Sequence, residues 1–588
     1  MTSISPTIPT NSSPIGRSAA DLVALKQQID QLSSQLSSGR VGETFAELGP
    51  SRSDSLSARA VLSALDGYDA GIASAQPRVQ LISASIAQIS KSVVTFRNAL
   101  ANNPPGAGAG EALARDALES TIAALNPQIG GRYVFGGRED RRPPLASAAV
   151  LLDGDNSDPS KPLAGLKALV ADQIRADKVD GIGRLALSRP SSTSLQLREE
   201  TDPGARANFG FTLAGAAVVS SSFAAVSYSA GTIEGAVPQF VQAPLPNDRF
   251  RVVVNLPSGA QKTYDLSGAD LADISSPANA TSSLLTLLGT GKIASVQSAT
   301  PPGLQATFAN SGAAGALTID VGRQPAAGDQ LSIKLALRDG STTTVTLQAQ
   351  SRVDPDSTSD FAIGATLAET AQNVSVALGR ALARAADTVL AASSTARAAQ
   401  DFFAGQSAPG LAARRIDFSA ATPAYAQVAS TSTVAWYRGE ASTTAPREAE
   451  VVRTSSTSAI AVGARANEDS LRAALVGFAS IAASGSGATT AAAAERSKSL
   501  ASRTLALLPT REAVDGIAND FGLAQAALSE AQSENKVIRT IHRTLLDRIE
   551  TVPAETIVTE LVSLQNRLQA SYQVTAMISK LSLVNYLR

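Results

Sequence analysis

Few residues of this chain are of the types that form metal sites or act as catalytic bases. Cysteine is absent and His542 is the only histidine, so thiolate metal sites and metal sites built from histidines are excluded. His542 falls on an apolar helical stripe, and a catalytic base there would need a nucleophile and an orienting partner within reach. We therefore expect His542 to be an ordinary interface residue.

Two other stretches have part of a known site motif. Gly106–Gly110 reads GAGAG, but it follows two prolines and a helix, so the strand that a dinucleotide-binding loop requires is missing. Asp153 and Asp155 begin the spacing of a calcium loop, but Asp158 stands where glycine is needed and Ala164 where glutamate is needed. We expect a plain loop and a solvated turn, and we predict no catalytic residue, no cofactor, no metal and no enzyme activity.

Further polar residues lie near the C-terminus at helical spacing. Lys536, Arg539 and Arg543 predict a solvated basic face. Asn535 lies on the apolar stripe itself. A polar residue there either fixes the register of a helix pair at some cost in stability or lies exposed at the edge of the stripe. The sequence leaves both alternatives open.

Composition narrows the choice of partners. Fifty Lys and Arg residues balance 51 Asp and Glu residues, which gives a net charge of -1. This balance argues against a nucleic acid or an acidic membrane surface as partner. The polar N-terminus lacks the basic and apolar regions of a secretory signal peptide, and no apolar run has the length of a membrane span.

The longest element that the sequence predicts is a helix with an apolar stripe from Ala58 to Leu100. Apolar residues alternate there at steps of three and four, so they lie on one side of a helix that another helix must cover. Pro77 is the one residue in this stretch that argues against a continuous helix, since an interior proline removes a helix hydrogen bond. We assign to this contact Leu65, Ile72, Val79, Ile82, Ile86, Ile89, Val93 and Phe96, and from a shorter helix before it Leu25, Ile29 and Leu32.

A second stripe of the same kind lies near the C-terminus. Its members are Ile517, Phe521, Leu528, Asn535, Ile538, Leu545 and Ile549. Pro553 interrupts the pattern, and a last helix follows with Leu561, Leu564, Leu568, Ile578 and Leu581. The two stripes have matching lengths, which predicts that the two ends of the chain pair with each other.

The middle of the chain has a different amino-acid composition and is rich in proline, glycine and threonine. Two segments, beginning at Asn247 and Gly328, each read as strand, glycine-containing turn and strand, and each precedes a helical piece. Further strands are expected in VAWYRG (434–439) and AIAVGA (459–464). We predict a multidomain α+β protein in which the terminal segments form a long antiparallel coiled-coil bundle around an inserted β-rich region.

The predicted division has three parts. Residues 1–141 form an N-terminal helical segment with a short hairpin at 130–137, residues 142–462 form the β-rich insertion with its two similar hairpin–helix units, and residues 463–588 form a C-terminal helical segment that pairs with the first.

Both ends of the chain resemble the flagellin family of bacterial flagella. The resemblance rests on LSSQLSSGR (32–40), the long helix after it, GGRYVFGG (130–137) and the C-terminal stretch LQNRLQASYQVTAMISKLSLVNYLR. It covers about the first 140 and the last 120 residues. GRYVFGG and the ending LSLVNYL are more similar to the hook–filament junction proteins of this family than to its filament subunits.

The resemblance implies a structural protein that joins hook to filament by coiled-coil polymerisation. It implies self-association in a tube, contact with neighbouring hook-associated proteins and flagellin, and an export chaperone. It also implies an extracellular location reached through the flagellar export apparatus without a cleaved signal, with which the polar first sixteen residues are compatible.

Two alternatives stay open. The chain could be a subunit of the filament itself, or a flagellin-like stem that displays a surface-binding middle domain. No set of nucleophile, base and orienting residue is visible that would favour a secreted enzyme instead.

Overall fold

The computed structural model describes residues 14–102, 107–179, 181–299, 303–309, 312–354, 357–405, 411–442, 444–485 and 490–586. It is an α+β structure in which helices and several small sheets follow one another along the chain. Within these residues, no helix combines the length and the apolar character needed to cross a membrane.

The helices are numbered in chain order. They are α1 (Pro14–Ser38), α2 (Arg52–Asn102), α3 (Ala107–Leu125), α4 (Ala148–Asp153), α5 (Leu166–Lys178), α6 (Pro203–Asn208), α7 (Pro277–Leu288), α8 (Leu367–Ala385), α9 (Ala391–Ala404), α10 (Asp469–Ala482), α11 (Thr490–Leu507), α12 (Arg511–Glu550) and α13 (Ala554–Tyr586). A π-helical turn, Ala386–Leu390, joins α8 to α9.

The strands are short. They are β1 (Gln128–Ile129), β2 (Arg132–Tyr133), β3 (Ala186–Ser188), β4 (Ser194–Arg198), β5 (Thr212–Leu213), β6 (Val218–Val219), β7 (Ala224–Ser229), β8 (Val237–Phe240), β9 (Arg249–Asn255), β10 (Gln261–Ser267), β11 (Lys292–Ser298), β12 (Leu304–Thr307), β13 (Ala316–Val321), β14 (Gln330–Ala336), β15 (Thr342–Gln350), β16 (Asp360–Ala362), β17 (Ile416–Asp417), β18 (Ala424–Tyr425), β19 (Val451–Arg453) and β20 (Ala459–Ala461).

The chain divides into two compact units. Unit 1 comprises Met1–Gln76, Val452–Ile460 and Gln525–Arg588, and unit 2 comprises Pro77–Val451 and Ala461–Ala524. The unit boundaries fall inside α2, β19, β20 and α12. The predicted boundaries at 141/142 and 462/463 divide the chain differently, into terminal helical segments and an inserted region. That division stays a prediction.

Unit 1 is built from helices of the two chain ends. Helix α1 packs along α13. The turn after α1 pairs with the turn before α13, where the amide of Val41 donates to the carbonyl of Glu550 and the amide of Val552 donates to the carbonyl of Gly39. Because the end of α1 thus meets the beginning of α13, these two packed helices run in opposite directions.

One core of unit 2 lies between two sheets and α8. The first sheet has the order β3-β4-β13-β7 and the second the order β16-β15-β14-β5. Alternate residues of β14, namely Leu331, Ile333 and Leu335, point into this core, as the two-residue period of a strand requires. Val374 and Leu378 of α8 cover it. A smaller core lies under the sheet β10-β9-β11 and helix α7.

The two predicted hairpins of the middle region are confirmed. Strands β9 and β10 pair in antiparallel fashion, as do β14 and β15. Gly259 and Gly340 in their turns have φ values of 87° and 83°, which only glycine adopts at little cost. Helix α7 follows the first hairpin, and α8 and α9 follow the second with β16 in between.

Other local predictions need correction. Gly130 and Gly131 both have positive φ and form the turn between β1 and β2, so the hairpin lies at 128–133 rather than at 130–137. Phe135 is buried just after it. VAWYRG forms no strand. Its backbone meets two separate segments, since the amide of Val434 donates to the carbonyl of Ala164 and Tyr437 makes a single bridge to Leu145.

Candidate assembly surface

The most specific polar contact of unit 1 joins α2 to α12. Asn535 is only 3% exposed, and its Nδ2 donates to the Oδ1 of Asp69 at 3.0 Å. One turn further along α12, Arg539 donates to the Oδ1 of Asp66 at 2.8 Å and lies 2.8 Å from the Oδ2 of Asp69. Of the two alternatives left open for Asn535, burial with a partner is the one observed.

A second polar contact lies near the other end of the same segments. Arg59 donates through Nε to the Oε1 of Glu550 at 2.9 Å, and the buried hydroxyl of Ser55 also donates to Glu550. The hydrogen bond from Arg59 holds the pKa of Glu550 below its ordinary value. Because partners descend along α12 as residues ascend along α2, these two segments are antiparallel within unit 1.

The apolar residues predicted on α2 are buried. In unit 1 these are Leu65 and Ile72, and in unit 2 they are Val79, Ile82, Ile86, Ile89, Val93 and Phe96. Helix α2 continues through Pro77. In unit 2, Phe96 meets Phe478 of α10 edge to face at 5.1 Å, and Ser90 donates to the Oδ1 of Asp515 at 2.7 Å. The predicted stripe is therefore a continuous line of side chains removed from water.

The stripe on α12 is buried at its beginning and becomes exposed toward its end. Ile517, Phe521 and Leu528 are buried, whereas Ile538 and Ile549 are half-buried. Leu545 is 37% exposed, so its own chain leaves it partly uncovered. It lies on the same side of α12 as the exposed Val537 and Ile541, at steps of four residues.

Helices α1 and α13 are each amphipathic in a similar way. Toward one another they place the half-buried Leu25, Ile29, Leu32, Leu561 and Leu568 together with the buried Leu564. On other faces they expose large apolar side chains, namely Val23, Leu36, Val558, Val562, Tyr572, Val574 and Met577. Ile578 and Leu581 lie in α13, but their side chains fall outside the described part of the structure.

The remaining candidate residues have ordinary surroundings. Arg539 is paired with two carboxylates, so the prediction of a solvated basic face holds only for Lys536 and Arg543, which are exposed. His542 is half-buried on α12, and its Nδ1 has no hydrogen-bond partner among the described residues.

The two incomplete motifs also have structural explanations. Residues 107–110 of GAGAG belong to α3, so the expected loop is wrong for them, while Gly106 lies outside the described residues. Asp155 accepts the amide of Ser157 at 3.0 Å in a turn, and hydrogen bonds from Ser157 lower the pKa of Asp155. Asp153 pairs with Lys167 at 2.9 Å. The described residues contain no group of acidic or histidine side chains suited to a metal ion.

No protein-family model matches this chain. No curated protein matches it either.

Proposed function

We propose that this protein is a structural subunit of the bacterial flagellum that joins hook to filament. The proposal includes one long antiparallel bundle of α1 and α2 with α12 and α13, from which the β-rich region projects. Its support is the flagellin-like sequence of both chain ends together with the antiparallel contacts that α2 and α12, and α1 and α13, make within unit 1.

One observation carries the assembly role. The long helices of unit 1 bury one face inside the unit and expose large apolar side chains on another, including Val537, Ile541, Val558 and Val562. Exposed apolar patches of this kind mark surfaces that other proteins cover. A subunit in a tube wall needs such faces, because each helix must contact its own chain and a neighbouring chain at the same time.

The energetic argument is simple. Val537, Ile541, Val558 and Val562 are 46–60% exposed, so covering the rest of each side chain contributes about 1 kcal/mol, and several such residues on each subunit together favour association. The hydrogen bonds of Asn535 and Glu550 lie within one chain and do not drive polymerisation. They make the pairing of α2 with α12 specific, since they fix which turn of α2 faces which turn of α12.

The same apolar faces suit a subunit of the filament itself. The two functions differ in the expected abundance of the protein, because flagellin dominates a sample of sheared filaments and a junction protein is a trace component of it. Mass spectrometry of sheared flagella, with quantification against the principal filament protein, tests the proposal. We expect this chain to be present as a trace component; a dominant amount would identify a filament subunit, and complete absence would contradict both functions.

A further inference from the structure

Unit 2 contains a cavity of about 750 Å³, a size typical of small-molecule sites. Its polar wall comes from the β9–β10 hairpin and the turn between β14 and β15, which contribute Lys262 and Arg338, and from α9, which contributes Arg397. Its other wall comes from α10 and α11, where an apolar strip of Ala473, Val476, Ala506 and Leu507 lies beside the polar Asp469, Arg472, Ser502 and Arg503.

The carboxylates that line this cavity are already paired with arginines. Asp401 accepts two hydrogen bonds from the Nη2 of Arg414, at 2.6 and 2.7 Å. Asp339 accepts from the Nε of Arg503 at 2.6 Å. Asp265 accepts from the Nε of Arg251 and Asp469 from the Nη2 of Arg472, at 2.6 and 2.7 Å. These four ion pairs leave no carboxylate of the lining free for another cation.

Arg338 is the cation without such a partner. The residue is 2% exposed, its Nη2 donates to the carbonyl of Arg206, and its Nε has no hydrogen-bond partner. No carboxylate of the described residues lies within ion-pair distance of it. Burial, followed by the nearby charge of Arg397, lowers the pKa of Arg338 to about 10, so the side chain is still a cation at neutral pH.

Two more cations lie on the same wall. Lys262 is exposed, and its Nζ lies 4.7 Å from the centre of the Tyr264 ring rather than next to a carboxylate. Arg397 forms an ion pair with Asp177 at 3.6 Å, and its Nη2 donates to the backbone carbonyl of Asn208 at 2.9 Å and to the Oε1 of Gln261 at 3.1 Å, so its charge is already partnered. A buried charge without a close counter-ion is costly, and only the more distant carboxylates of Glu199 and Asp177 offset the charge of Arg338, so an anion in the cavity would stabilise this side chain.

We propose that this cavity binds a small organic anion, with a carboxylate or phosphate group against Arg338 and Lys262 and an apolar body against α10 and α11. Arginine suits either group because its planar guanidinium donates parallel hydrogen bonds to both. Every residue that lines the cavity belongs to unit 2.

Calorimetric titration of the full chain tests this site with three probes of one chain length: hexanoate, hexyl phosphate and neutral hexanamide. We expect one or both anions to bind at least about tenfold more tightly than hexanamide, which corresponds to one charge-assisted hydrogen bond. The relative affinities of hexanoate and hexyl phosphate identify the preferred group. Equal or absent binding of the three probes would overturn the proposal.

Variants of the lining then identify the cations. Lys262→Gln changes an exposed side chain and so keeps the fold, and we expect it to weaken binding of the anion severalfold; Arg338→Gln should weaken it further. Arg352→Gln, an exposed arginine outside the cavity, is the matched control and should bind like the parent chain. If Arg338→Gln does not fold, Lys262→Gln decides: parent-like binding by that variant would contradict the assignment.

Discussion

The amide of Asn535 on α12 donates a 3.0 Å hydrogen bond to the carboxylate of Asp69 on α2, 466 residues earlier in the chain. Arg539, one turn away, holds the same carboxylate. A buried amide that pairs only in one alignment penalises every shifted alignment of the two helices. Within unit 1, this contact therefore sets the register in which the two chain ends pair.

Replacement of Asn535 tests the contribution of this contact to stability. We expect Asn535→Ala to lower the free energy of unfolding by about 1–3 kcal/mol, because the half-buried carboxylate of Asp69 loses a donor and the buried amide that supplied it is removed. Chemical denaturation of the full chain measures the change. Asn519→Ala, at an exposed position of the same helix, is the matched control and should change stability by no more than about 0.5 kcal/mol. An equal effect of both variants would show that the contact contributes nothing specific.

Glu550 makes the stability of unit 1 sensitive to acid. Its pKa is held below the ordinary 4.5, chiefly by the hydrogen bond from Arg59, so its carboxylate contributes stability above pH 4.5. That contribution is lost as the pH falls through the lowered pKa. We expect Glu550→Gln to be less stable than the parent at neutral pH and to lose less stability between pH 5 and pH 3. Glu534→Gln changes an exposed glutamate of α12 and is the control, so its stability should depend on pH as that of the parent does. If the stability of Glu550→Gln also has the parent's pH dependence, this linkage is refuted.

Much of the fold could be predicted from local pattern. The apolar residues that alternate at steps of three and four from Ala58 to Leu100 correctly predicted the buried side of α2. Apolar residues at every second position, together with a glycine in the turn, correctly predicted the hairpins β9–β10 and β14–β15. Both signals work because burial on one face imposes the period of the element on its apolar residues. Pro77 did not end the helix.

The features that the sequence did not reveal depend on partners distant in the chain. Arg539 looks like a surface cation until Asp66 and Asp69 are placed beside it. The cations of the cavity come from separate hairpins and helices, and no local spacing relates Lys262 to Arg338. Leu545 continues the stripe in sequence yet is exposed, since nothing in the sequence states how far a covering helix extends.

The core of unit 2 provides a stability test of the α2 stripe. Ile86 is fully buried, so we expect Ile86→Ala to lower the free energy of unfolding by about 2–5 kcal/mol through the cavity it creates. Leu523→Ala removes a side chain that is 72% exposed and is the control, with an expected change of at most about 0.5 kcal/mol. Urea denaturation compares the two variants. A loss below 1 kcal/mol for Ile86→Ala would mean that this side of α2 is loosely packed.

The exposed faces of unit 1 require a different kind of variant. Val562→Asp places a charge on a side chain that is 49% exposed, so the monomer should keep its stability while self-association and incorporation into flagella are lost. Sedimentation of the purified protein and mass spectrometry of flagella measure both effects. Ser563→Asp adds the same charge about 100° round the helix and should assemble normally. Normal incorporation of Val562→Asp would exclude this face from the assembly contact.

Electron microscopy of cells that lack this protein tests the junction function most directly. We predict that such cells carry hooks without filaments and release flagellin into the medium, and that the parent gene, but not Val562→Asp, restores the filaments. Filaments of normal length and number on the hooks of cells without the protein would contradict the proposed function.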